Sequence, residues 1–212
     1  MKKLFLPLLF GVASLASVQA QGLRLGLTAG MTAATVGGPR NADTPEPDGR
    51  LGARVGLTAR LPLTASGRLA LQTELAYAGL GFRLEAASGN YVEFRERLHY
   101  LQLPLLMQLR LSKLWLEAGP QVSYLLGHRW LDGPSGLLGN PNIYTDNTDK
   151  FHRWDFSAVV GAGYQLTDKL GVGLRYAHGL TPVYQPVSAD GTPPGRLRNR
   201  SLSLNLSYQL GR

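Results

Sequence analysis

Residues 201–210, SLSLNLSYQL, alternate strictly between polar and apolar side chains. Successive side chains of a β-strand point to opposite faces, so this period of two predicts a strand with one apolar and one polar face. Its length matches what a tilted strand needs to cross a bilayer. The same alternation occurs in seven earlier segments, and their apolar positions run over 23–31, 51–59, 69–77, 101–109, 114–124, 154–164 and 170–176.

The connections between these predicted strands are alternately short and long. Short turns are predicted at 62–67, 112–113 and 167–169, and long connections at 34–49, 83–93, 127–150 and 179–196. The long connections contain runs rich in Pro, Asn, Asp and Gly, which cannot continue a strand ladder. This alternation puts every long connection on one rim of an antiparallel up-and-down meander, which closes into a barrel to remove its edges. The sequence therefore predicts an all-β, eight-stranded antiparallel barrel.

The first residues have the pattern of a secretory signal peptide. Lys2 and Lys3 precede a short apolar run over residues 4–15, and Ala20 is a small residue at the expected cleavage site. We expect a cleaved signal peptide over residues 1–20 and a barrel domain over residues 21–212.

The composition excludes several classes of protein and site. The chain contains no Cys, which rules out disulfides, Cys-based metal centres and a thiol nucleophile. It has no run of eighteen apolar residues, which rules out a helical membrane protein. The sequence pI is about 10.0, but its arginines form no basic stripe, so nucleic acid is not an expected partner. No cofactor, metal or catalytic site is predicted.

Alternation alone leaves open which face points outward. A soluble, exported lipocalin-like barrel would turn its apolar face inward, whereas a transmembrane barrel would turn it toward lipid. The membrane interpretation is favoured by a polar face that mixes Gly with Arg, Glu and Gln, because long polar side chains fit a narrow lumen only beside glycines. It is also favoured by long loops on one side and short turns on the other, as in outer-membrane barrels with extracellular loops and periplasmic turns. Aromatic residues of the apolar face gather near the strand ends, as in two interfacial girdles: Tyr77, Tyr124, Trp154 and Tyr176 toward the long-loop rim, and Tyr164 and Tyr208 toward the short-turn rim.

Six charged residues fall on the predicted inward face, namely Arg54, Glu74, Arg110, Glu117, Asp155 and Arg175. A narrow lumen tolerates such charges only when they are paired, so we expect an ion-pair network inside the barrel. Because Arg54 and Glu74 are equidistant from Thr64, we expect them to lie directly opposite each other on neighbouring strands. This network could form a gate, but a polar core that simply fills the barrel is the favoured interpretation.

Several short motifs occur in an order that resembles a known family. The most specific is YLQLPLL at 100–106, which contains Tyr100 and Pro104, and EAGP at 117–120 contributes Gly119 and Pro120. In this order the motifs resemble the PorT-like outer-membrane β-barrel family. The resemblance implies a small barrel with eight strands and a signal peptide, and its founding member is associated with protein secretion.

The functional hypothesis is a monomeric, integral outer-membrane barrel that is not an enzyme and has a structural or interaction role, including a PorT-like accessory role in secretion. Its expected partners are outer-membrane lipids and, through the long loops, other envelope or secretion-system proteins. One alternative is a lipid-modifying enzyme using histidines, although no His-x-Ser pair places a base beside a nucleophile. The other is the lipocalin-like barrel. Arginines expected at anionic lipid head groups are Arg24, Arg50, Arg129, Arg153, Arg196, Arg198 and Arg200.

Overall fold

The structure is a computed structural model that describes residues 22–38, 47–85, 93–132, 151–184 and 197–210. The predicted signal peptide and the middle parts of the four long connections lie outside these residues. Within the described ranges, no helix is long and apolar enough to cross a membrane.

Eight antiparallel strands form one closed barrel, as the sequence predicted, and the first strand pairs with both the second and the eighth. The strand over 154–165 has the extent that the alternation indicated, and the other seven are longer, with the additional residues mainly at the long-loop end. The strands are β1 (Arg24–Gly37), β2 (Pro47–Pro62), β3 (Leu69–Glu85), β4 (Glu93–Leu111), β5 (Leu114–Asp132), β6 (Trp154–Gln165), β7 (Leu170–Pro182) and β8 (Arg198–Leu210).

The register of the β2–β3 hairpin differs from the prediction. Leu63 N–H donates to the Leu69 carbonyl, and Gly67 N–H donates to the Thr64 carbonyl, so the turn is centred on Ser66. Gly67 closes it with a φ of 64°, a conformation that glycine adopts without strain.

The shifted turn changes which residues face each other. Arg54 lies opposite Ala78, and Glu74 lies opposite Thr58. The expectation that Arg54 and Glu74 are direct cross-strand neighbours was therefore wrong. Their side chains still form an ion pair inside the barrel, because they reach diagonally between the two strands.

The apolar face of the strands points outward. Side chains such as Leu57, Val160 and Leu204 are more than half exposed on the outer surface, while the alternating polar positions are mostly buried inside the barrel. An exposed apolar band around the whole barrel suits contact with lipid and is the opposite of a lipocalin-like arrangement.

The six aromatic residues predicted to form girdles are on this outer face. On the long-loop side, Tyr77 aligns with Leu101, Leu101 with Tyr124, and Tyr124 with Trp154, which makes one row across four strands. The Tyr124 and Trp154 rings meet edge to face at 4.9 Å between centroids.

The remaining girdle residues occupy other levels. Tyr176 lies one strand beyond this row, opposite Val160 on β6. Tyr164 and Tyr208 lie opposite Leu114 and Leu170, next to the short turns. That these rings mark the membrane interfaces stays a prediction.

A charge placed in the middle of the outer band should destabilise the barrel. Leu204 lies between the levels of Tyr176 and Tyr208 and is 55% exposed. We expect Leu204→Arg to cost about 2–4 kcal/mol of folding free energy in a bilayer, because the guanidinium would be forced into hydrocarbon. Reversible unfolding in phospholipid vesicles would measure this cost. Leu166→Arg is the matched control, since Leu166 is 47% exposed but lies just beyond β6 in a turn. Equal losses for both variants would contradict a lipid-facing Leu204.

Candidate functional site

Four buried charged side chains meet in the middle of the lumen. Glu74 accepts hydrogen bonds from Arg54 and Arg175, with Nη–Oε distances of 2.8 and 2.9 Å to its two oxygens. Arg175 also donates through Nε to Glu117, at 2.8 Å, and Arg54 donates to Gln102. Two positive and two negative groups thus form a neutral cluster, which we call the central ion network: Arg54, Glu74, Glu117 and Arg175.

A glycine makes room for part of this network. Glu117 on β5 and Arg175 on β7 both lie opposite Gly161, which occupies the strand between them. A Cβ atom at Gly161 would come within 2.9 Å of the Glu117 carboxylate. Glycine at this inward position therefore lets the two long side chains meet across β6.

Arg110, also predicted for the network, lies outside it. It is diagonal to Glu117 on the β4–β5 hairpin, as expected, with Trp115 directly opposite. Its guanidinium lies 5.7 Å from the centre of the Trp115 ring, and its Nε donates to Gln108 at 3.3 Å. Stacking on the indole thus takes the place of an ion pair.

Asp155, the sixth predicted residue, belongs to a separate layer nearer the long loops. It accepts hydrogen bonds from the Thr181 hydroxyl at 2.7 Å, and from Ser157 and Asn199 at 3.3 Å each. Asn199 also donates to the Tyr100 hydroxyl at 3.4 Å. Neutral donors therefore satisfy this buried carboxylate, and the structure brings it together with the motif residue Tyr100.

The other motif residues belong to the barrel wall. Pro104 is fully buried on the inward face, whereas Pro120 points outward. Gly119 faces inward, and a Cβ there would collide with the carbonyl oxygen of Leu105 on the neighbouring strand. These positions shape the β4–β5 contact.

An apolar cluster that the sequence pattern did not lead us to expect lies above the central network. It combines inward side chains from the long-loop ends of the strands with residues at the bases of the long connections. The signal was present in the sequence, because inward positions such as Leu80, Phe82 and Leu98 change from polar to apolar beyond the aromatic row. We call this set the upper apolar cluster: Ala34, Val36, Ala78, Leu80, Phe82, Leu98, Tyr100, Leu125, Phe151, Val183 and Leu197.

Short backbone contacts hold the loop-derived part of this cluster. Phe151 and Tyr184 form an isolated antiparallel bridge, and their rings lie 4.9 Å apart. His152 N–H donates to the Val183 carbonyl at 2.9 Å, and Val183 N–H donates to the Leu197 carbonyl at 2.8 Å. The bases of the connections before β6 and after β7 therefore lie across the long-loop end of the lumen.

Three histidines have partners that explain their positions. His128 bonds the Glu96 carboxylate inside the barrel, and its ring lies 4.5 Å from Phe151. His99 bonds the Tyr77 hydroxyl, and His178 bonds that of Tyr176 at 3.2 Å. Among the described residues, no group of three His, Asp or Glu side chains is placed so that it could hold a metal ion.

Below the central network, a cavity in the lumen opens toward the short turns. Glu74, Glu117 and Arg175 form its inner end, and Trp115 contributes to its wall. The lumen is thus open at the short-turn end and filled above.

Comparison with known proteins places these features in a family. A family described as outer membrane protein beta-barrel domain matches residues 19–185. Among curated proteins no match was found.

Solved structures with a similar fold include the Neisserial surface protein A, at 13% identity over 88% of this chain and 97% of that one, with a TM-score of 0.48. Ail, the attachment invasion locus protein of Yersinia pestis, is 11% identical over 89% of this chain and 99% of its own, with a TM-score of 0.45. OprG from Pseudomonas aeruginosa is 11% identical over 90% and 95%, with a TM-score of 0.39.

Removing the shared carboxylate should destabilise the barrel strongly. Glu74→Ala leaves Arg54 and Arg175 buried without the group that joins them, and we expect a loss of about 3–5 kcal/mol in folding free energy. Urea unfolding in lipid vesicles would measure this loss. The exposed turn residue Asp168 provides the control, since Asp168→Asn should change stability by no more than about 0.5 kcal/mol. A similarly small change for Glu74→Ala would show that the network contributes little.

Proposed function

The chain belongs to the outer membrane protein beta-barrel domain family, and we propose that this outer-membrane barrel is closed to solutes and has a structural or interaction role. The observation that carries the proposal is the blockage of the lumen at two levels, by the central ion network and by the upper apolar cluster. A barrel of eight strands has an interior that side chains just fill.

The two levels block transport by different means. The four charges of the central network bond one another, so a passing ion would have to break buried ion pairs. Above them, Phe82, Leu98 and Phe151 are almost completely buried in an apolar layer, and these three side chains offer water no hydrogen bonds. This arrangement supports a role other than diffusion of solutes.

The long-loop rim is the proposed interaction surface. In barrels of this type the long loops are extracellular and the short turns periplasmic. The bases of two long connections are held by the contacts of Phe151, Val183 and Leu197 described above. A loop that leaves a fixed base loses less conformational entropy when it binds a partner.

The more specific proposal is a PorT-like accessory role in protein secretion. It is supported by the ordered motifs around Tyr100, Pro104, Gly119 and Pro120. These residues occupy defined places in the barrel wall and its interior, so they account for the fold and do not identify a binding partner. A secretion partner would therefore bind through the long loops.

Lipids are the other proposed partner. Arg153 and Arg200 are exposed at the long-loop end of the strands, where cations can meet anionic head groups. Arg24 lies at the opposite end, beside the cavity mouth. Arg196 and the side chain of Arg129 lie outside the described parts of the chain.

We also propose that the barrel is not an enzyme. His128 is held by Glu96 in the apolar layer, and His178 by the adjacent Tyr176. These contacts give His128 a role in the packed interior and His178 a role as a polar residue near the rim. Neither is the arrangement of a base that activates a nucleophile.

The closed lumen predicts an absence of channel activity. Purified barrel inserted into a planar lipid bilayer should give no conductance steps above those of the bare membrane, because both blocking layers are built from packed side chains. The barrel should be delivered from lipid vesicles in which its folding is verified independently, by its faster gel migration before boiling. Reproducible steps from folded protein would contradict the proposal.

The accessory role predicts a large native assembly. Outer membranes would be extracted with mild detergent, and the size of the particle that contains the barrel would be measured together with any co-migrating proteins. A reproducible complex, lost when residues 133–150 are replaced by a short Gly-Ser linker, would support an accessory subunit that binds through this loop. A lone barrel in its micelle would count against the secretion role and leave a structural role.

A further inference from the structure

The geometry points to an anion-binding site at the short-turn mouth of the barrel, suited to a small multivalent anion that carries phosphate or carboxylate groups. The charged residues that line this cavity comprise five cations and two carboxylates. Such an excess of one sign, focused in a cleft with low-dielectric walls, attracts counter-ions strongly. This site is separate from the loop surface of the proposed function.

Both carboxylates are already neutralised. Glu74 accepts hydrogen bonds from Arg54 and Arg175, and Glu117 Oε1 accepts from Arg175. The excess positive charge therefore lies closer to the mouth. It consists of Arg24, Arg60, Arg110 and Lys169, which have no ion-pair partner among the residues that the structure describes.

Two of these cations are held in place by groups that leave their charge uncompensated. Arg60 is buried, and it donates to the Gln108 side chain at 2.7 Å and to the Gly67 carbonyl at 2.9 Å. Arg110 stacks on Trp115 and donates to the same Gln108 oxygen. The guanidiniums of Arg60 and Arg110 thus share one neutral acceptor, the Gln108 side-chain oxygen. Their like charges repel each other at this short separation. An anion between them would offset this repulsion and accept their remaining N–H groups.

The cavity wall is tightly packed at this point. A Cβ at Gly163 would collide with the Trp115 ring, and one at Gly171 would lie 2.7 Å from its edge. The indole therefore packs directly on the backbone of β6 and β7. This fixes Trp115, and with it Arg110, at the anion site, so that less entropy is lost when the anion binds.

The anion would sit on the mouth side of Arg110. Glu117 Oε2 is buried at the inner end without a hydrogen-bond partner among the described residues, and this acceptor oxygen offers no proton to an anion placed deeper. At the mouth, the same phosphate chemistry could come from a soluble anion or from the head group of a lipid at the rim.

Trp115 provides a direct readout of the site. The chain has three tryptophans, so replacing Trp130 and Trp154 by Phe leaves Trp115 as the only indole. The chain from residue 21 to residue 212 would be placed in nanodiscs of phosphatidylcholine, which is uncharged overall, and titrated with inorganic pyrophosphate at low ionic strength. We expect a saturable change in Trp115 fluorescence, a matching calorimetric heat, and weaker binding at high salt.

Three variants test the assignment. Arg60→Gln removes a buried guanidinium, and Lys169→Gln removes a charge from an exposed turn where folding is not at risk. We expect Arg60→Gln to weaken pyrophosphate binding by about tenfold, since it deletes a charge-assisted hydrogen bond, and Lys169→Gln to weaken it less. Arg68→Gln makes the same charge change in a short turn, where Arg68 is exposed and does not line the cavity, and should leave the affinity unchanged.

A second arm distinguishes the two sources of phosphate. Nanodiscs that contain phosphatidylglycerol, without pyrophosphate, are compared with phosphatidylcholine discs. A Trp115 response to pyrophosphate supports a soluble anion, whereas a response to the charged lipid alone supports a head group. The proposal is overturned if neither probe produces a response. It is also overturned if Arg60→Gln and Lys169→Gln, shown to be folded by gel migration, bind as well as the parent.

Discussion

The narrowness of a closed eight-stranded lumen is the constraint on which the rest of this structure depends. Closure removes the sheet edges, and it also forces every inward side chain to share one small interior with those of the other strands. Charged groups placed there can remain only if they neutralise each other or bond to neutral partners. Arg54, Glu74, Glu117 and Arg175 neutralise each other, while Asp155 is satisfied by hydroxyl and amide groups.

The same constraint explains where glycine is needed. Long side chains from some strands fill the lumen. The residues that lie beside them on other strands must then have no side chain that would occupy the same space. Gly161 makes room for Glu117, and Gly163 and Gly171 make room for Trp115. The mixture of glycine with large polar residues on one strand face is therefore a packing requirement of the barrel.

The interior has three levels that differ in character and in proposed use. The upper apolar cluster seals the end from which the long loops emerge, and the central ion network blocks the middle. The short-turn end stays open and carries excess positive charge. A barrel that is sealed on one side and open on the other can present loops to partners at one surface while it holds a ligand at the other.

The sequence by itself determined the strands, their order, and which residues share one face of each strand, because alternation is a local property of each segment. It also put the six charges on the glycine-rich polar face, and the glycines and the loop pattern favoured that face as the inward one. Only the tertiary structure decided their partners. Glu74 and Arg175 lie on strands that are not neighbours, and their contact exists only after the sheet closes. The turn at Ser66 set the register of Arg54, and residues from separate connections assembled the upper apolar cluster. These features depend on turn geometry and on packing between distant parts of the chain, which local alternation does not encode.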